Sequence, residues 1–216
     1  MSSSFARLAG RSAIVAGIAA LAYSVTFAIV VQNGDRWAEW TSTLLLVVGA
    51  LAAFPVTIGL YLRVRAADEG FSMLALAAGL LAATGTLLHG AFDLGVLANE
   101  PEQGWEHPNP TDPRGFATFL LAGATLALFS HLLGRTGAAR GLVRLGYVVA
   151  VLLAWVWLGR LTALDPKEPW VAPAVVGSGF IGVPLWYVWV GRTCFGAARG
   201  ETAQNRSGRD LFGVAP

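Results

Sequence analysis

The chain predicts an all-α, polytopic integral membrane protein: a bundle of six transmembrane helices with both termini on the cytoplasmic side. Three observations carry that prediction. Six long apolar stretches fill most of the 216 residues, charged residues make up only 13% against 55% hydrophobic, and arginines gather in alternate connections. Soluble domains use about one-quarter charged residues, so the composition belongs to membrane spans. A helix needs about 20 apolar residues to cross about 30 Å of hydrocarbon, and it satisfies its own backbone polar groups on the way. A transmembrane barrel would need many short alternating segments, a pattern this sequence does not have.

The first stretch, Val15 to Val31, follows Arg7 and Arg11. It begins like a signal peptide but runs into Gln32, Asn33 and Gly34 without a small-residue cleavage site, so retention as span one is expected. The second, Leu44 to Leu62, contains Pro55, which predicts a kink, and precedes Arg63 and Arg65. In the third, Phe71 to Ala91, the small residues Ala75, Gly79 and Ala83 predict close helix approach. The apolar residues Leu94 to Ala98 extend this span beyond its first apparent end. The fourth, Phe116 to Leu133, carries Gly123 and Ala127 and precedes Arg135, Arg140 and Arg144. Leu142 to Leu158 forms the fifth. The sixth, Val171 to Val190, holds Pro173, Gly177, Gly179, Gly182 and Pro184 and is expected to be irregular. Cys194, the single cysteine, is placed just beyond it and has no partner for an internal disulfide.

Orientation follows from the basic residues. Arg7, Arg11, Arg63, Arg65, Arg135, Arg140, Arg144, Arg192 and Arg199 all fall on one side, and the opposite connections hold only Arg36, Arg114, Arg160 and Lys167 among many carboxylates. The expected setting is the bacterial inner (plasma) membrane, with 1–198 as the six-span domain and 199–216 as a flexible cytoplasmic tail. Trp37, Trp40, Trp105 and Trp170 fall at the external boundary, where an indole buries its ring and keeps its N–H in a polar layer. A net charge of +2 does not make a nucleic-acid binder, because the arginines are spread among short loops and termini. The expected partners are the lipid bilayer, a small-molecule ligand or other membrane subunits, and no nucleic acid. Arg135, Arg140 and Arg144 are candidate cytoplasmic-side contacts for anionic lipid.

The candidate polar site combines His89 and Asp93 with Glu106 and His107 of the long external connection. His89 and Asp93 stand four residues apart, so a helix puts them on one face. An ionisable pair inside the outer half of a membrane is costly, which makes it a functional hypothesis. His89, Asp93 and His107 are also the candidate ligands of a divalent metal such as Zn, although no H-E-x-x-H pattern or cysteine cluster supports them. Arg114 is expected to pair with Asp112 or a lipid phosphate. His131 lies toward the opposite membrane side from His89, so the two are poorly placed as axial ligands of one haem. No catalytic residue is assigned. Two functions stay open: small-molecule transport or a membrane-complex accessory role built on His89 and Asp93, and, as the alternative, a metal-dependent membrane hydrolase with an external-side site.

Overall fold

The computed structural model describes residues 1–99, 114–162 and 167–196, and the expected tail at 199–216 lies outside them. Six helices are long and apolar enough to cross a membrane: α1 (Ser3–Asn33), α2 (Arg36–Val64), α3 (Glu69–Asn99), α4 (Phe116–Arg135), α5 (Arg140–Thr162) and α6 (Ala172–Cys194). The chain is a multi-pass, all-α membrane protein. With 31 residues, α1 and α3 are each about 46 Å long at the α-helical rise, enough to pass through the hydrocarbon into the headgroups. As the run Leu94 to Ala98 predicts, α3 continues to Asn99. The continuous helix α2 passes through Pro55. Cys194 corrects the expectation that it follows the span: it is buried and ends α6, where Arg63 Nη1 donates to its carbonyl at 2.8 Å.

Helices adjacent in sequence pack against one another, and α6 returns to α1, so the six close into a ring. Their faces are divided by size. On α3, Leu74, Leu81 and Leu88 recur every seven residues and are exposed, whereas Ala75, Ala78, Ala82 and Ala83 are buried. On α1, Val15 and Ile18 face outward, and Ala9, Ala13 and Ala16 face the bundle. Lipid tails are as apolar as leucine, so nothing drives large side chains inward; small ones face in because they let helix backbones approach. Gly90 is such a position, since a Cβ there would stand 2.8 Å from Val47 Cγ2 and 3.2 Å from the Thr43 carbonyl oxygen.

Short π-helical turns interrupt α4 at Phe116–Leu121 and α6 at Gly177–Gly182. The second is the irregularity that the Gly and Pro residues of span six predict. Pro184 lacks an N–H and its ring crowds the carbonyl one turn earlier, and the wider turn lies immediately before it. No Pro or Gly lies inside Phe116–Leu121 to announce the first.

The two ends of the ring differ. At the end where α1 begins and α6 finishes, Phe129, Leu132, Leu133, Leu142, Val190 and Phe195 belong to one packed core. Ser130 Oγ and Trp186 Nε1 are buried there with no hydrogen-bond partner among the described residues. Asp68, in the turn before α3, caps that helix by accepting from the Phe71 N–H at 3.1 Å, and its other oxygen accepts from Arg135 Nη1 at 2.8 Å. These two contacts hold the Asp68 carboxyl below the ordinary aspartate range. Because the folded value is the depressed one, the stabilisation is present above the unfolded value of about 4 and is lost as pH falls through the folded value. The difference in thermal midpoint between wild type and Asp68→Asn is therefore expected to be full at pH 7 and to shrink on acidification below about pH 4. A difference independent of pH would show that the charge of Asp68 contributes nothing.

Candidate functional site

A cavity of about 300 Å³ lies inside the ring and is walled by all six helices. His89 and Asp93 on α3, Arg160 on α5 and Tyr23 on α1 gather at the end opposite the packed core, whereas Tyr187 of α6 lines the cavity beside that core. One helical turn separates His89 from Asp93, and His89 Nε2 stands 3.5 Å from Asp93 Oδ2. The other imidazole nitrogen, Nδ1, lies 3.2 Å from Thr118 Oγ1, a residue of the π-helical turn in α4. Asp93 is only 5% exposed.

The structure places Arg114 on Asp93, its Nη1 donating to Oδ1 at 3.1 Å. The Arg114 guanidinium also lies 4.3 Å above the Phe92 ring, a cation–π arrangement on the residue next to its carboxylate partner. The two carboxylate oxygens thus face different partners, histidine on one side and arginine on the other. A buried carboxylate with such partners keeps its charge at a smaller desolvation cost than an isolated one.

Arg160 is the second cation of the site. Its guanidinium passes directly against Gly115, where a Cβ would stand 2.8 Å from Cζ, and lies 6.0 Å from the centre of the Phe119 ring. Gly115 is buried, and its missing side chain makes the room. At this same end, Trp155 Nε1 donates to the Trp170 carbonyl at 2.9 Å, which fixes the last turns of α5 to the start of α6.

Of the four residues expected to form the polar site, the structure brings His89 and Asp93 together; Glu106 and His107 lie outside the described residues, as does Trp105. Among the described residues, no group of three His, Cys, Asp or Glu side chains is placed to hold a metal ion. His131 is exposed near the opposite end of the bundle, with its ring 5.8 Å from that of Phe71. Arg140 and Arg144 are exposed on the first turns of α5. Reading the sequence missed Tyr23, Thr118 and Arg160 as cavity residues. Tyr23 and Thr118 are single polar groups in apolar runs. Arg160 carried a signal, being a cation at the end of a span, but orientation alone accounted for it.

No protein-family model matches this chain, and it matches no curated protein and no solved structure, so the function is argued from its own residues.

Proposed function

We propose that this protein binds a small molecule inside the membrane and acts as a carrier or as the ligand-binding subunit of a membrane assembly. One observation carries the reading: a cavity lined by all six helices, apolar over most of its wall, with His89, Asp93 and Arg160 gathered at one end. Binding sites for small molecules are typically concave and mostly apolar, with a few placed polar groups, and this cavity fits that description. The His89–Asp93 pair supplies the coupling element, because protonation of His89 changes the charge facing the cavity and His89 also contacts Thr118 on the neighbouring helix.

The arginine distribution supports the orientation given to this reading, with both termini cytoplasmic in a bacterial plasma membrane and the polar end of the cavity facing outward. The metal-dependent hydrolase is the weaker alternative. Asp93 Oδ1 is engaged by Arg114, and the further ligands that it needs, Glu106 and His107, lie outside the described residues. Arg135 is paired with Asp68, which leaves Arg140 and Arg144 as the better placed of the three candidate lipid contacts.

Cysteine accessibility tests the cavity. The native Cys194 thiol is buried and serves as the blank. Ala83→Cys, on the cavity wall, is expected to react with a small, membrane-impermeant thiosulfonate added from the outer face; Leu81→Cys, two residues away on the lipid side, is not. Equal protection of both would mean that no solute reaches the ring interior and would remove the carrier reading.

A further inference from the structure

Resting on the cavity reading above, we infer that the ligand is a long-chain alcohol in chemical class, whose hydroxyl donates to the Gly179 carbonyl and whose hydrocarbon chain runs inward along the cavity. Helix α6 leaves this backbone acceptor unsatisfied. In an α-helix the carbonyl of residue 179 accepts from the N–H of residue 183, and in a π-turn from that of residue 184. Here the Val183 N–H is given to the Ser178 carbonyl, and residue 184 is proline, which has no N–H. Gly179 thus keeps a carbonyl with no donor at either spacing, and it lines the cavity. Such π-turns are frequent at functional sites.

Inside a membrane a carbonyl freed by proline is re-satisfied by a Ser or Thr side chain, a neighbouring helix or ordered water. The two serines beside Gly179 are turned elsewhere. Ser24 Oγ stands 2.7 Å from where a Cβ on Gly179 would be, yet it donates to the Ala20 carbonyl at 3.0 Å. Ser178 Oγ donates to the Ala174 carbonyl at 2.6 Å. Tyr23, next to Ser24 on α1, also lines the cavity, and its hydroxyl makes no hydrogen bond with a described residue. A carbonyl only accepts, whereas a phenol both donates and accepts. An alcohol answers both, giving its proton to Gly179 and its lone pairs to Tyr23. An ether has no proton for Gly179, and an ammonium has no lone pair for Tyr23.

Inward of this level the wall suits a chain. From Ser24 it continues on α1 to Ala16, about 12 Å, and from Gly179 on α6 to Trp186, about 10 Å. Over that length Ala16, Ala19, Ala20, Ala50 and Ala53 line it, and alanines leave room beside the helix backbones while offering only carbon. The Tyr187 hydroxyl beside the core and the Thr57 hydroxyl also make no hydrogen bond with a described residue. Thr57 lies near the far end of the wall on α2, fourteen residues from Thr43, about 21 Å. Neither adjoins Gly179, so the paired acceptor and phenol fix where the alcohol group sits.

The test uses the full chain in phosphatidylcholine nanodiscs, with protein-free discs subtracted. The radiolabelled probes are dodecanol, dodecyl methyl ether and dodecylamine. Dodecanol is expected to bind saturably at one per chain and at least ten-fold more tightly than the ether, which keeps the oxygen and lacks the donor. Pro184→Ala gives the Gly179 carbonyl a donor from its own helix, either residue 184 in a retained π-turn or Val183 in a relaxed α-turn. It is expected to reduce dodecanol affinity at least five-fold and to leave the weak binding of the ether unchanged. Equal affinity for alcohol and ether in wild type would overturn the proposal without recourse to any variant, leaving the carbonyl to water. So would undiminished dodecanol binding by folded Pro184→Ala. Tight binding of the amine with no preference for alcohol over ether would show that charge, and not the Gly179 carbonyl, selects the ligand. If no probe binds while Ala83→Cys still reacts, the alcohol is wrong and the cavity reading stands; if no probe binds and Ala83→Cys is protected, both fall.

Discussion

Replacing Arg114 with leucine is expected to destabilise the bundle by up to about 3–5 kcal/mol, the cost of breaking a buried ion pair by removing one member, lessened by the His89 ring that still faces the other oxygen of Asp93. The Arg114–Asp93 contact is 3.1 Å, and the two side chains are 16% and 7% exposed, so little water is available to take over the solvation of Asp93. Asp93→Asn should cost less, because the two partners differ in reach. A long arginine at a membrane boundary can turn its charge toward the headgroups, and Arg114 keeps its contact with Phe92 in any case. A carboxylate on a short stem in the interior has no such exit. The double replacement Arg114→Leu with Asp93→Asn removes both charges and is expected to recover most of the loss, since neutralising a buried pair together is far cheaper than orphaning one member. Unfolding free energies of the four proteins in bicelles check this. Equal and additive effects of the two single replacements would show that the pair is not coupled.

That pair also marks how far the sequence can be read. The helical spans are legible because lipid imposes length and apolarity directly, and the extension of α3 to Asn99 follows from Leu94 to Ala98 for the same reason. The contact between His89 and Asp93 is local, four residues apart on a helix, so spacing alone predicts it. Arg114 is different. Its nearest acid in sequence is Asp112, and a single sequence contains nothing that directs it to a residue 21 positions back on another helix. Arg160 was hidden by a sufficient simpler explanation, because a cation at a span boundary already satisfies the orientation rule. The division of faces by size was present in the sequence as the seven-residue recurrence of Leu74, Leu81 and Leu88, but small residues at helix spacing predict packing and not the space between helices. Whether six such faces meet tightly or leave a slot depends on the closing of the ring by α6 against α1, which is a tertiary property.

The closest approach of α3 to α4 gives the second large effect. A Cβ on Gly85 would overlap that of Ala117, so even Gly85→Ala requires the helices to part. Overpacking of this kind typically costs about 1–3 kcal/mol, here against the gain of about 1 kcal/mol in intrinsic helix preference that alanine has over glycine. The consequence should extend to the site. Ala117 precedes Thr118 in the π-helical turn, and Gly85 lies one turn before His89, so separating the first pair draws apart the second, whose contact is 3.2 Å. Gly85→Ala is therefore expected to lower stability and also to alter the pH dependence of ligand binding. Ala117→Gly placed on Gly85→Ala returns the missing space and should restore both. Gly95, ten residues further along α3, has open space for 4 Å around the point where a Cβ would stand, so Gly95→Ala is expected to be neutral or stabilising and to leave the pH profile alone. Two glycine-to-alanine changes in one helix then differ in sign for a steric reason. If Gly85→Ala proved as silent as Gly95→Ala, α3 and α4 would not be in contact at this level, and Thr118 could not be the partner that orients His89.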